Sequence, residues 1–437
     1  MDPTQENHTV TSFASLPMEI LAIILKHSPD LDTFLSAIAS CRAFYNTFKD
    51  SQPSLTKAIV FREIDRSVLP YAKQVTLINL PNPVKFEVWP VVILKLLGLR
   101  KMPAGLLWHP WTLTHGIGAV RLHAIIDAMA RQFAARYVQL FEKLSGRAQA
   151  GPSDREIARI KRTLYRFEMF CKLVPPPPVP GPEREGRASP AATPQCFFMW
   201  QATAWENEQL AAVHEALWRL VAPDTPSRQA TGAPKEALLA RGLRAIHDIA
   251  QADTYARRYE LIGAGTTEPA LAGSFLREAF IVHNCTFPRP GLREKGIAPK
   301  FAPGQEPRFY KNPDRGPERF WRWLYRNRPG EEFRMKMAGE HDAKSMRDCG
   351  CVFWDKERLD GSGILGRRWN DLRGQSMERM AMPTDLIVKQ QTRSWEARQA
   401  LYEKGVRGYW SPGEEEEGDK IIDEVQRAAM PPHIPFW

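Results

Sequence analysis

The chain has 437 residues, enough for roughly two or three domains and a large core. Hydrophobic residues at 43% and charged ones at 25% exclude a disordered chain, and the net charge of +10, spread along the length and owed mostly to arginine, is only a modest bias toward acidic partners. Six scattered cysteines (Cys41, Cys171, Cys196, Cys285, Cys349 and Cys351) exclude a disulfide framework and predict reduced thiols, hence a cytoplasmic or nuclear protein.

The N-terminal MDPTQENHTV lacks the basic start and apolar core of a signal peptide. The greasiest later run, Val88 to Leu99, is interrupted by Lys95 and falls short of the ~20 residues that a membrane span needs. A soluble, intracellular protein without a membrane partner is expected.

The first elements lie in residues 12–50, SFASLPMEILAIILKHSPDLDTFLSAIASCRAFYNTFKD. Pro17 suits the start of a helix, where a missing N–H costs nothing, and Glu19 falls in the first turn, where the helix dipole favours it. From Ile20 to Leu25 every residue is apolar, so this helix has no wet side until Lys26. A three-helix unit covers one side of such a helix; the other side needs a partner, from this chain or another.

The pattern LPMEILAIIL, then Pro29-Asp30, then LDTFLSAIASCRAFYNTF resembles an F-box, in the variant common among fungal F-box-like proteins. Members of that family typically dock on a Skp adaptor and so join a cullin–RING ubiquitin ligase. The resemblance implies that Leu16, Pro17, Ile20, Leu21, Ile24 and Leu25 are adaptor-facing or motif-core residues. The third segment departs from the better-studied F-boxes, with Phe44, Tyr45 and Phe48 in place of a Val-Cys…Trp pattern.

Beyond this unit (12–52), residues 53–174 are expected to be helical and to pack on it. Leu55, Ile59 and Ile64 predict a helix from Ser54 to Asp65. Prolines cut 68–115 into short helices and loop. A helix over 118–145, stopped by Gly146, follows from Leu122 to Leu144, and Ser153-Asp-Arg-Glu156 is a capping box that opens the next. These two should pack as an antiparallel pair.

Residues 175–195, PPPPVPGPEREGRASPAATPQ, read as a linker or exposed loop. In the C-terminal region, 196–437, Leu210, Val213, Leu217 and Leu220 predict a helix ending before Pro223. Leu239, Leu243, Ile246 and Ile249 predict another running to about Gly263, and Leu271 to Val282 a third. Residues 286–317 should be irregular, with helices at about 318–327, 342–348, 384–404 and 419–429, and the acidic run Glu414 to Glu417 a solvated loop. The fold class expected is mainly α: a three-helix F-box-like unit, then an irregular helical domain with long loops.

Sites of chemistry are scarce. Gly361-Ser-Gly363-Ile-Leu-Gly366 matches GxGxxG, but VFWDKERLD before it does not read as the buried strand that a dinucleotide site requires, so a turn or helix cap is expected. The wider stretch CGCVFWDKERLDGSGILG resembles one that recurs in fungal F-box-like proteins, which implies that Phe353-Trp354 anchors the loop in the core. Cys349 and Cys351, even with His341, His283 or Cys285, lack the second ligand pair of a zinc site and are expected to be buried thiols. His109, His115 and His123 adjoin no nucleophile motif, and neither a Walker loop nor HExxH occurs. No catalytic residue, metal or cofactor is expected.

The stretch 308–336, RFYKNPDRGPERFWRWLYRNRPGEEFRMK, interleaves arginine with Phe320, Trp321, Trp323 and Tyr325. It reads as a short amphipathic helix with aromatics inward and arginines in water or paired with Glu318; stacking on single-stranded nucleic acid is the alternative use, and an acidic or phosphorylated client a third. The function expected is a non-catalytic subunit that joins an unidentified client to a Skp–cullin ubiquitin ligase. The alternatives are a stand-alone helical scaffold, or a nucleic-acid binder using 308–336.

Overall fold

A computed structural model describes residues 13–78, 110–174, 198–199, 202–221, 233–263, 276, 314–327 and 344–368, with 403 and 420 singly. The chain is mainly α-helical, and no strand occurs among the described residues. It forms two compact units, one from Met1–Leu80 and Arg100–Ala124, the other from Pro81–Leu99 and Ile125–Trp437. The division therefore falls inside a helix, between 124 and 125.

In the first unit a 3-10 turn, Phe13–Ser15, leads into α1 (Met18–Lys26), followed by α2 (Leu31–Ser40), α3 (Arg42–Glu63) and α4 (Leu69–Ile78). Asp30 caps α2 by accepting the Thr33 N–H at 2.7 Å, and that bond holds its carboxyl below the ordinary value. The expected break between a helix ending near 50 and one starting at Ser54 is a kink: α3 continues through it, with Ser51 off helical geometry ahead of Pro53. Phe34 and Phe48 meet edge to face at 5.9 Å, so α2 and α3 share an aromatic core contact. Lys73 on α4 lies buried with its ammonium 3.9 Å from the centre of the Trp111 ring. Desolvation lowers its pKa to about 8.

The long helix α5 (Leu113–Ser145) begins earlier than residue 118 and contributes 113–124 to the first unit. There Gly116 permits a close approach: a β-carbon on it would stand 2.4 Å from the Thr56 methyl. Gly146 ends α5 in the left-handed conformation, its N–H reaching the Glu142 carbonyl at 2.8 Å. The Ser153–Glu156 capping box then opens α6 (Asp154–Leu173). An ion pair between Asp127 and Lys161 at 2.6 Å ties the two helices.

Next come α7 (Ala204–Val221), α8 (Ala233–Ala240), α9 (Leu243–Ala250) and α10 (Tyr255–Gly263). Leu210, Val213, Leu217 and Leu220 are all buried on α7. The single helix expected from about Leu239 to Gly263 is instead three. Gly242 adopts φ +87, and a β-carbon there would lie 2.8 Å from the Glu168 carboxylate, which accepts the Leu243 N–H at 2.8 Å and so caps α9. Thr254 does the same for α10, accepting from the Arg257 N–H at 3.1 Å. The helices expected over 271–282, 384–404 and 419–429, the proline-rich 175–195 and the acidic run 414–417 lie outside the described residues, apart from single positions.

The described C-terminal elements are α11 (Arg315–Asn327), α12 (Lys344–Asp348), a 3-10 turn at Cys351–Phe353, α13 (Lys356–Ser362) and a 3-10 turn at Ile364–Gly366. Residues 315–317, expected to be irregular, already belong to α11. A buried polar cluster holds these segments on α6. Arg159 pairs with Asp314 at 2.6 Å and Asp355 at 2.8 Å and donates to the Phe353 carbonyl at 2.8 Å. Glu156, besides capping its own helix, accepts from Arg358 at 2.8 Å and from the Asp355 N–H at 2.8 Å. Phe353 and Trp354 are fully buried, Phe353 stacking on Tyr137 at 5.7 Å and Trp354 facing Phe141 at 5.8 Å.

Arg159→Ala strands two partly buried carboxylates and a carbonyl, so it should lower stability by roughly 3 kcal/mol, read as a shift in urea midpoint. Lys73 gives a pH signature of the opposite kind to a salt bridge. Its folded pKa of about 8 lies below the unfolded value of ~10.4, so the unfolded chain binds the extra proton between them and stability rises with pH across that window. Lys73→Met should remove that rise from the difference between paired melting curves recorded across it.

Candidate functional site

The strongest candidate is the outer face of α1. Pro17 sits one residue before the helix, its carbonyl accepting the Ile20 and Leu21 N–H groups at 3.0 and 3.2 Å. Glu19 occupies the first turn and Lys26 the last, each suited to the dipole at its end. The far end is held by α3: the Arg62 guanidinium donates to the carbonyl of Lys26, at the end of the helix where carbonyls lack an internal partner, and to that of Ser28 just beyond it. Phe13, ahead of α1, meets Phe44 of α3 at 5.5 Å.

With both ends fixed and α3 packed alongside, the rotation of α1 is set. Leu21 and Leu25 point inward, 3% and 0% exposed, with Ser28 on the same stripe also buried. Ile20, Ile23 and Ile24 point outward at 43%, 51% and 38% exposed. Met18, Phe13 and Tyr45 add exposed apolar surface within the same unit. Scattered exposed apolar residues are ordinary; three isoleucines side by side on one helix form a patch, which is not. Covering each half-exposed isoleucine is worth about 1 kcal/mol at ~25 cal/mol per Å².

The six residues implicated by the F-box resemblance thus divide. Ile20, Ile24 and Pro17 are exposed, Leu16 is half-buried, and Leu21 and Leu25 belong to the core of the unit. Ile23 was missed, although its place three residues after Ile20 puts it on the same stripe. Arg62 was missed as well, and no local signal marks it, because its partners lie 34 and 36 residues away.

The other motifs resolve into structural roles. Lys356–Ser362 is a helix, Gly363 caps it at φ +72, and Gly366 closes a following turn on the Gly363 carbonyl at 3.1 Å. GxGxxG here is a helix stop, with no strand ahead of it. Cys349 and Cys351 are buried, and burial pushes the Cys349 thiol up to about 12 and the Cys351 thiol up as well. Such thiols stay protonated, and among the described residues no group of three His, Cys, Asp or Glu converges as metal ligands would. His109, His283, Cys285 and His341 lie outside the described residues. In 308–336, Phe320 and Trp323 face inward at 1% and 8% exposed, and Arg322 pairs with Glu318 at 2.7 Å, so the nucleic-acid reading loses two of its stacking platforms. Among the described residues no helix is long and apolar enough to cross a membrane.

The division of α1 into two faces has a direct test. Ile20→Asp with Ile24→Asp should cost less than about 1 kcal/mol, as exposed changes do, whereas Leu25→Ala alone should cost roughly 2–5 kcal/mol. Chemical denaturation of the two variants measures the contrast. No protein-family model matches this chain, and neither does any curated protein or solved structure.

Proposed function

We propose that the N-terminal unit is an F-box-like docking module that seats a Skp-type adaptor on the open face of α1, making the chain a non-catalytic recruiting subunit of a Skp–cullin ubiquitin ligase. The observation that carries the reading is the exposed stripe of Ile20, Ile23 and Ile24 on a helix whose other face and both ends are fixed. A rigid apolar anchor set is what a tight protein contact needs, since little ordering entropy is lost when the partner arrives. The choice of a Skp-type adaptor as partner rests on the resemblance of LPMEILAIIL to an F-box. Pro17 and Leu16 extend the anchor set at the N-terminal end, while Leu21 and Leu25 serve by holding the helix in register.

Such a subunit works by proximity. It holds a client near the ligase and raises its effective concentration there, with no chemistry of its own. The rival reading, a helical scaffold without a ligase role, also uses the α1 face but takes no adaptor. Co-expression of the tagged full chain with a Skp-type adaptor separates the two. The wild-type chain should bring the adaptor down, and the Ile20→Asp, Ile24→Asp variant should lose it by at least tenfold while melting within a few degrees of wild type. Adaptor retained by the double variant, or never captured by the wild type, sinks the ligase reading.

A further inference from the structure

A second surface lies in the C-terminal unit, between α11, α13 and the turn at Ile364–Gly366. It is a cleft of about 480 Å³ lined by Arg315, Glu318, Arg319, Arg322, Trp323, Lys356 and Leu365. Arg315, Arg319 and Arg322 fall at the i, i+4, i+7 positions of one helical stripe, so their Cα atoms step along the axis by about 6 and 4.5 Å. Lys356 faces them from α13. Among the described residues two carboxylates answer these four cations: Glu318 pairs with Arg322 at 2.7 Å, and Asp360 bridges the helices, 2.9 Å from Arg319 and 2.7 Å from Lys356. Counted over the described residues, the cleft carries more cations than carboxylates.

Glu318 is only 15% accessible beside Arg322, but the Asp360 pairs are solvent-exposed, with Arg319 46% and Lys356 40% accessible. Exposed pairs of this kind contribute little to folding and exchange partners readily. An arriving carboxylate or phosphate therefore gains charge-assisted bonds without dismantling anything the fold depends on. Trp323 and Leu365 give the cleft an apolar floor for the stems of side chains.

We infer that this cleft binds an acidic peptide segment in extended conformation, its acidic side chains at alternate positions. Alternate residues of an extended chain lie about 6.6 Å apart on one face, close to the first step of the arginine stripe. A single-stranded nucleic acid shares the anionic chemistry but needs open aromatic faces; Phe320 is turned inward, and the 8% of Trp323 that reaches the cleft is enough for a floor and too little to stack a base. The inference goes beyond the docking role of α1: its residues belong to the other unit, and its test contains no adaptor.

The test is fluorescence anisotropy on the full chain with a short labelled peptide alternating Glu with Ala. A version with phosphoserine for Glu, a neutral version with Gln, and an oligothymidylate of equal charge serve as the other arms. Both acidic peptides should bind, the neutral one should not, and affinity should fall several-fold as salt is raised to about 0.15 M and beyond. Arg315→Gln with Arg322→Gln should weaken binding at least tenfold. Asp360→Asn should tighten it several-fold, because it removes the internal competitor; a variant that merely loosened the fold has no means of tightening binding. Absence of acidic-peptide binding, equal binding of the neutral peptide, indifference to the arginine pair, or stronger binding of the oligothymidylate each overturns the inference.

Discussion

The C-terminal unit depends on one guanidinium. Arg159 is buried on α6, and its donors go to Asp314, Asp355 and the Phe353 carbonyl, three groups from two distant segments. Burial alone would raise the Asp355 carboxyl, yet hydrogen bonds from Ser153 and Arg159 more than offset it and hold the group below its usual value. Glu156, one turn earlier, repeats the device with opposite sign, serving its own helix start and Arg358 at once. Because every charge here has its partners, the cluster offsets the desolvation that an incomplete one would suffer. Its effect is positional: it fixes where α11 and α13 begin, and hence how the arginine stripe and Lys356 come to line one cleft.

The N-terminal unit solves a different problem. Its first helix is apolar all round, and the unit buries only the Leu21–Leu25 side. Apolar surface left in water is a standing cost, tolerated in folded proteins where something covers it part of the time. What keeps the exposed side from collapsing inward is the fixing of both ends of α1, by the Phe13–Phe44 contact and by Arg62. The face is thus presented by a rigid helix and not by a loop.

Much of this was legible in the sequence because it is local. The start of α1, the Ser153–Glu156 capping box, the Gly146 stop and the buried stripe of α7 each follow from residues within one or two turns of one another. The inward turn of Phe320 and Trp323 likewise follows from helical spacing. What escaped depends on distant contacts. Gly242 breaks a convincing apolar period because the Glu168 carboxylate, on another helix, occupies the space that a side chain would fill. Asp314, 155 residues from Arg159, looks in sequence like any turn aspartate. Within α1 the alternation of Ile20 and Ile24 with Leu21 and Leu25 is visible, but which pair faces the core is decided by α3 and has no signal in a helix that is greasy on every side.

The kinked α3 has one further consequence. The residue that closes off the carboxyl end of the first helix is Arg62, beyond the kink at Ser51 and the proline at 53. A motif cut out at the end of its sequence pattern, near residue 52, would leave the Lys26 and Ser28 carbonyls to water and let the last turn of α1 fray, where Ile23 and Ile24 stand. The exposed face of α1 is therefore set partly by a residue past the end of the sequence pattern, and an exchange between proteins that preserved only the pattern would carry over Ile20, Ile23 and Ile24 without the clamp that holds their helix in place.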